Sequence, residues 1–293
     1  MRIALLGVGL MGSAAAERLA RSGFHVIVWN RTREKAEKLS DMLGVEVAKT
    51  PMNALSSADA SIAFLSDDDA LISVVSSIGR VDGLIFINSS TVTPRTSALA
   101  ASYLESRGAC YLDAPVVGGP GRVREGRLIT LVAGRHSCIS RVRGLLEALS
   151  EKIMVVGDKP GQASAVKLAY NALLITSIEV LSESILLVES HGVERKLFKD
   201  LLNSTVFAGL AQSYFDRAVE PGGRVGFRLL LAAKDLEYAG RAAYDVGSPA
   251  PVVEAAASVY RIASIRCGEH DYAKIYRFLK DPSCQSSGER GIP

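Results

Sequence analysis

Residues 1–23 read MRIALLGVGLMGSAAAERLARSG. An aliphatic run, Arg2 to Leu6, enters the glycine-spaced turn Gly7-Val8-Gly9-Leu10-Met11-Gly12, and an alanine-rich segment of strong helix formers follows. Glycines at this spacing have separate tasks. They permit a tight turn, a close approach of backbone to a pyrophosphate, and close packing of helix on strand. The helix start adds unsatisfied N–H donors for the same anion. The motif alone is common, but between a strand and a helix it predicts a dinucleotide site built by Gly7, Val8, Gly9, Leu10, Met11 and Gly12.

A second aliphatic run, HVIVW (25–29), ends at Asn30-Arg31-Thr32-Arg33. Readers of NAD place an acidic residue here for the ribose 2′-hydroxyl. A carboxylate would repel a 2′-phosphate, whereas an arginine attracts one through charge-assisted contacts. Asn30, Arg31 and Thr32 are therefore expected at the ribose, and NADP is favoured over NAD. The alternative is that Arg31 and Arg33 are solvated charges opening the next helix. FLSDDDA (64–70) and NSSTVTP (88–94) put Leu65, Ser66 and Thr91 just past strand carboxyl ends, where open α/β sheets bind ligands. Asp67 to Asp69 read as a helix cap and first-turn carboxylates.

Five further aliphatic runs follow: SIAFL (61–65), LIFIN (84–88), CYLDA (110–114), ITLVA (129–133) and KIMVV (152–156). Alternation of such runs with helical segments predicts a mostly parallel sheet covered on both faces, a Rossmann dinucleotide-binding domain over residues 1–160. After Gly157 the alternation stops. Residues 161–293 read as an all-α substrate and dimerisation domain, punctuated at Gly192, Pro221 to Gly223, Gly247 to Pro251, and Gly268. It begins with an interdomain helix over 162–189, free of Gly and Pro and about 42 Å long at 1.5 Å per residue. A helix apolar nearly all round is expected to be buried nearly all round, inside its own domain or between interlocking copies. The tail 281–293 is polar and expected to be mobile.

The chain has 293 residues, 48% hydrophobic and 22% charged, with a formal charge of +3. Mean hydropathy is +0.20. No uninterrupted apolar span of bilayer length, targeting signal or basic block is read, so neither a membrane nor nucleic acid is expected as a partner. The cysteines, Cys110, Cys138, Cys267 and Cys284, form no CxxC pair, and the four histidines form no HxxxH. No metal is expected. A cytoplasmic location with reduced thiols is the default, with Cys267 and Cys284 as a conceivable disulfide.

Two stretches remain. PVVGGPGRVREGRL (115–128) sets glycines where backbone N–H groups could nest a carboxylate, although a plain loop fits equally well. In GQASAVKLAYN (161–171), Lys167 and Asn171 stand at i,i+4 on an otherwise apolar helix, so an ammonium and an amide share one face. Burial would disfavour the charged lysine and lower its pKa, suiting it to exchange a proton with an alcohol. Snorkelling of the amine into solvent is the bland alternative.

The ordered set GxGxMG, DAPVxGG with a following EGxL, GxxxGxxxxxKxxxN and KDL resembles the β-hydroxyacid dehydrogenases, the group of 3-hydroxyisobutyrate dehydrogenase, over nearly the whole chain, Arg2 to about Leu279. The resemblance implies a 6-phosphogluconate dehydrogenase-like pairing of Rossmann and all-α domains. It implies Lys167 as general acid/base with Asn171 as its amide partner. Val117, Gly118 and Gly119 would hold a small substrate's carboxylate, with Lys234 and Phe227 beside them and Asp235 flanking. Lys234 would also reach the nicotinamide. Val117 stands where the family commonly has serine, which removes a hydroxyl from the carboxylate site. A homodimer or homotetramer is expected, acting on a 3-hydroxy acid such as 3-hydroxyisobutyrate or L-serine. A glyoxylate or succinic semialdehyde reductase is the nearest rival, and its pocket walls around Phe207, Tyr214 and Phe227 do not decide between them. A non-catalytic nucleotide-binding scaffold would have no use for Lys167, and imine reducers of similar layout typically lack it.

Overall fold

The computed structural model describes residues 1–223 and 225–284. The first half runs β1 (Arg2–Leu6), α1 (Leu10–Arg21), β2 (His25–Trp29), α2 (Arg33–Leu43), β3 (Glu46–Val47), α3 (Pro51–Leu55), β4 (Ala60–Ala63), α4 (Asp68–Ser76), β5 (Ile85–Asn88) and α5 (Pro94–Glu105). It continues through β6 (Cys110–Asp113), β7 (Val116–Val117), α6 (Pro120–Glu125), β8 (Leu128–Ala133), α7 (His136–Arg141), α8 (Arg143–Leu149) and β9 (Ser150–Gly157). All seven aliphatic runs became strands. The two strands not foreseen, β3 and β7, have two residues each, too short for any periodicity to register.

The sheet order is β3-β2-β1-β4-β5-β6-β8-β7, with β9 beside β8. Every pairing from β3 to β6 is parallel, and β8 runs antiparallel to β6 and β7. Alternate residues of β1 supply the two faces. Ile3 and Leu5 pack with Ala15, Leu19 and Leu146, while Ala4 and Leu6 pack with Leu71, Val74 and Leu104. Burial on both faces is why these strands read as continuous apolar runs.

The chain divides into two compact units, Met1–Leu168 and Ala169–Pro293. The division falls inside α9 (Gln162–Ser190), a helix of 29 residues. The second unit adds α10 (Arg195–Asn203), α11 (Ala208–Val219), α12 (Leu229–Asp245), α13 (Pro251–Cys267), a 3-10 turn (Tyr272–Lys274) and α14 (Ile275–Lys280). Its core is built by Ile175 and Ile178 with Leu236 and Tyr260, and by Leu181 and Ile185 with Phe215 and Tyr276. The polar tail lies outside the described residues from 285 onward.

Three expectations are corrected. The first concerns only the burial of α9 inside its own domain, which is incomplete because Val166, Leu173, Val180 and Leu187 are 43%, 71%, 53% and 62% exposed in the single chain. The expected alternative, a cover supplied by a second copy, is not touched by this. They recur every seven residues and so form one stripe; periodicity showed an apolar face but not what covers it. The second is that α9 is, by length and composition, long and apolar enough to cross a membrane, with an 18-residue mean hydropathy of 1.6. Its buried residues are the centre of the helical core. The third is the reduced-thiol default: Cys110 is bonded to Cys138, and Cys267 to Cys284. The first pair links the start of β6 to α7, with Cα atoms 6.5 Å apart, a juxtaposition made by the fold.

Candidate functional site

Gly7 lies at φ +94°, and a Cβ there would collide with the Phe64 carbonyl; at Gly12 it would collide with the carbonyl of Gly7. Those two glycines are therefore required by packing. At Gly9 an added Cβ would meet nothing within 4 Å. Gly9 is also the N-cap of α1, which has no side-chain cap and no acidic residue in its first turn. Its N–H donors thus face an open side, Leu10 is 55% exposed, and a pyrophosphate fits there. Val8 and Met11 flank the turn, with Val8 buried and Met11 packed against the sheet core.

The end of β2 differs in detail from the sequence expectation. The Val8 N–H donates to Asn30 Oδ1 at 3.0 Å, and Asn30 Nδ2 donates to the Thr32 carbonyl at 2.8 Å. Asn30 therefore ties the glycine turn to the loop after β2. Arg33 is held by Glu37 at 2.6 Å, one turn along α2. Arg31 is exposed and forms no ion pair among the described residues, and exposed Thr32 caps α2 without a side-chain bond.

At the ends of β4 and β5, the Leu65 N–H donates to Ser90 Oγ at 2.8 Å, and Ser66 Oγ donates to Asp67 Oδ2 at 2.7 Å. Asp67 caps α4 by accepting from the Ala70 N–H. Asp68 accepts from the N–H and hydroxyl of Thr93 at 2.8 and 2.7 Å and from the Thr96 hydroxyl at 2.8 Å. These carboxylates brace the starts of α4 and α5. The cap and first-turn places on α4 are those the sequence suggested; the reach of Asp68 to the start of α5 was not foreseen. Thr91, partly buried, sits within that braced loop.

Asp113, the first residue of the DAPVVGG segment, is a positioning residue that sequence reasoning left without a task. Its buried carboxylate accepts from the N–H groups of Gly161 and Ser164, both at 2.9 Å, and from the Ser164 hydroxyl at 2.7 Å. It thereby caps α9 from across the sheet. The available signal was a long helix opening on Gly161-Gln162 with no Ser, Thr, Asp or Asn at its cap. Burial pushes the Asp113 carboxyl up from the usual range, while the Ser164 and Gly161 hydrogen bonds oppose that shift. Further along, Val117 packs against Leu131, Ala133 and Ala163. Gly118 has φ +135°, with Leu128 where a Cβ would stand, and Gly119 is open before α6.

Lys167, second-last residue of the first unit, is 8% exposed. So low an exposure argues against snorkelling, and the residue lies one helical step before Asn171, itself 6% exposed. In the second unit Asn171 Nδ2 donates to Asp235 Oδ2 at 2.5 Å. Lys234 Nζ makes an ion-pair contact with the other Asp235 oxygen at 3.0 Å and lies 4.6 Å from the centre of the Tyr238 ring. Asp235 is 1% exposed, so the Lys-Asp pair is no surface feature. Phe227 packs edge-on against Tyr272, whose hydroxyl donates to that of Tyr214 at 2.9 Å. Phe207 stands apart from this aromatic row, 54% exposed.

Comparison with known proteins gives two family matches. Residues 2–157 match the NAD binding domain of 6-phosphogluconate dehydrogenase, and residues 161–279 match the NAD-binding domain of NADP-dependent 3-hydroxyisobutyrate dehydrogenase. An uncharacterized oxidoreductase of Bacillus subtilis, YfjR, is 32% identical over 290 residues, covering 96% of this chain and 100% of that protein. Glyoxylate/succinic semialdehyde reductase 2 of Arabidopsis thaliana is 27% identical, covering 95% and 79%. Among solved structures, 3-hydroxyisobutyrate dehydrogenase of Mycobacterium tuberculosis with L-serine superposes with a TM-score of 0.85 at 26% identity, covering 95% of this chain and 99% of that one.

Proposed function

The chain belongs to the β-hydroxyacid dehydrogenase family, and from that premise we propose that it oxidises a small 3-hydroxy acid, of the 3-hydroxyisobutyrate or L-serine class, with NADP. That it is an oxidoreductase with a nicotinamide dinucleotide site follows from the family itself. The finer reading rests on one observation: a lysine buried on the same helical face as an amide that is held by a buried carboxylate.

The open Gly9 side and the uncapped start of α1 suit the pyrophosphate, and Arg31 suits a 2′-phosphate. When bound, the nicotinamide supplies the hydride acceptor or donor. The remaining work belongs to the chain. Lys167 Nζ takes the hydroxyl proton of the alcohol, or returns it to the aldehyde in reverse. Asn171, fixed by Asp235, orients the hydroxyl or the amine. Gly118 and Gly119 offer backbone N–H groups to the carboxylate, and Val117 leaves that grip without a side-chain hydroxyl.

A second reading, reduction of glyoxylate or succinic semialdehyde, is favoured by the Arabidopsis relative. Initial rates with L-serine, 3-hydroxyisobutyrate, 3-hydroxypropionate, glyoxylate and succinic semialdehyde, each with both cofactors, separate the two. A 3-hydroxy acid with the highest kcat/KM supports the first reading; preference for either aldehyde overturns it. We also assign the apolar stripe of α9 to a second copy of the chain, since a seven-residue repeat suits helix pairing. Light scattering should give a dimer or tetramer that Leu173→Asp weakens.

A further inference from the structure

We propose that Cys267, His270 and Cys284, with both cysteines reduced, form a binding site for a thiophilic d10 cation such as Zn2+. The sulfur and imidazole donor atoms of these residues all lie within 4.8 Å of one another. Cys267 ends α13 and is 2% exposed, while His270 is exposed. The turn between them is closed by the His270 N–H donating to the Cys267 carbonyl at 2.9 Å. Cys284 returns from α14, its N–H donating to the Asp281 carbonyl at 3.1 Å, and it is the one described non-glycine residue with positive φ, +53°. The spacing is C-x2-H-x13-C, which a search for CxxC or HxxxH passes over.

Two thiolates and an imidazole are the donors that zinc accepts, and the exposed histidine side leaves a fourth position for water. The set has no carboxylate or carbonyl cage for calcium or magnesium. In the oxidised chain Cys267 and Cys284 are joined to each other, so neither sulfur is a thiolate and the site is closed. A small dithiol opens it by exchange. The dithiol is oxidised to its own disulfide, the Cys267–Cys284 bond accepts the two electrons and two protons, and cation binding then releases the two thiol protons. Disulfide and metal are thus alternative closures of one corner.

That corner supports the start of α12. The Leu229 N–H donates to the His270 carbonyl at 2.8 Å, the Leu230 N–H to the Gly268 carbonyl at 3.0 Å, and the Tyr272 N–H to the Phe227 carbonyl at 2.9 Å. Lys234 and Asp235 lie on the following turn. Whichever closure is present holds the backbone from which those side chains project.

The test uses the full chain, reduced with a dithiol, desalted anaerobically and titrated with Zn2+ against a chromophoric chelator. One equivalent is expected to bind. His270→Ala should weaken binding at least tenfold, and chain reoxidised with a small-molecule disulfide should bind none. Co2+ in place of Zn2+ should give thiolate charge-transfer absorption that vanishes in the Cys267→Ser/Cys284→Ser variant, which keeps Cys110 and Cys138. Thermal melts establish that each variant is folded. Equal Zn2+ uptake by the reduced wild type and the double variant, or no uptake by either, overturns the proposal.

Discussion

Asn171 donates its side-chain amide to the buried carboxylate of Asp235 at 2.5 Å, and the other oxygen of that carboxylate lies 3.0 Å from Lys234 Nζ. One acidic residue thus fixes an amide and an ammonium together. Asp235→Ala removes one carboxylate contact from each, at a position that is 1% exposed. It should cost about 1–3 kcal/mol of stability and lower kcat, while the KM for cofactor changes little. Asp235→Asn retains an acceptor for Asn171 and should recover most of the stability. Chemical denaturation and steady-state kinetics on the two variants check this.

Cofactor choice is expected to reside in Arg31. Losing one charge-assisted contact costs about 1.5–3 kcal/mol, so Arg31→Ala should lower kcat/KM for NADPH about tenfold or more and leave NADH nearly unchanged. Arg33→Ala should do much less, because Glu37 already holds that guanidinium. Parallel kinetics of the two variants with both cofactors separate them.

Asp113 carries the start of α9 across a separation of 48 residues to Gly161 and 51 to Ser164. Asp113→Ala strands two buried N–H groups and a hydroxyl, and should destabilise the chain by about 3 kcal/mol. A smaller loss in urea unfolding, under about 1 kcal/mol, would count against the capping role.

Glu179, buried on α9, has its carboxyl pushed up from 4.5 to about 7, first by burial and then by the nearby Glu183 charge. Between those pH values the folded chain keeps a proton that the unfolded chain has released. This contribution to stability is therefore fully present below about pH 4.5, falls as pH rises toward 7, and levels off above it. The difference in Tm between wild type and Glu179→Gln should follow that course, and a difference that stays constant from pH 4.5 to 8 would contradict it.

What was legible in the sequence had local grammar. Strands buried on two faces read as aliphatic runs, the helical half was marked by Gly192, Gly247, Pro251 and Gly268, and the Gly7 to Gly12 turn declared its packing. Long-range features had none. The cap of Asp113 on Ser164, the grip of Asp235 on Asn171 and the Cys110–Cys138 bond join distant segments that only the fold brings together. Asn30 was placed correctly at the end of β2, yet its amide is engaged by Val8 and Thr32, which residue type alone does not reveal. The exposed stripe of α9 lay beyond periodicity for a different reason, since an apolar face says nothing about its cover.

The central claim is that Lys167, 8% exposed and one helical step from Asn171, moves the proton of the reaction. The direct measurement is kcat of Lys167→Ala on the best substrate of the panel, with cofactor affinity taken from nucleotide fluorescence. A positioned acid-base group supplies at least about a hundredfold, so kcat should fall by that factor or more while cofactor affinity holds. A variant that turns over within a few-fold of the wild-type kcat would contradict the account.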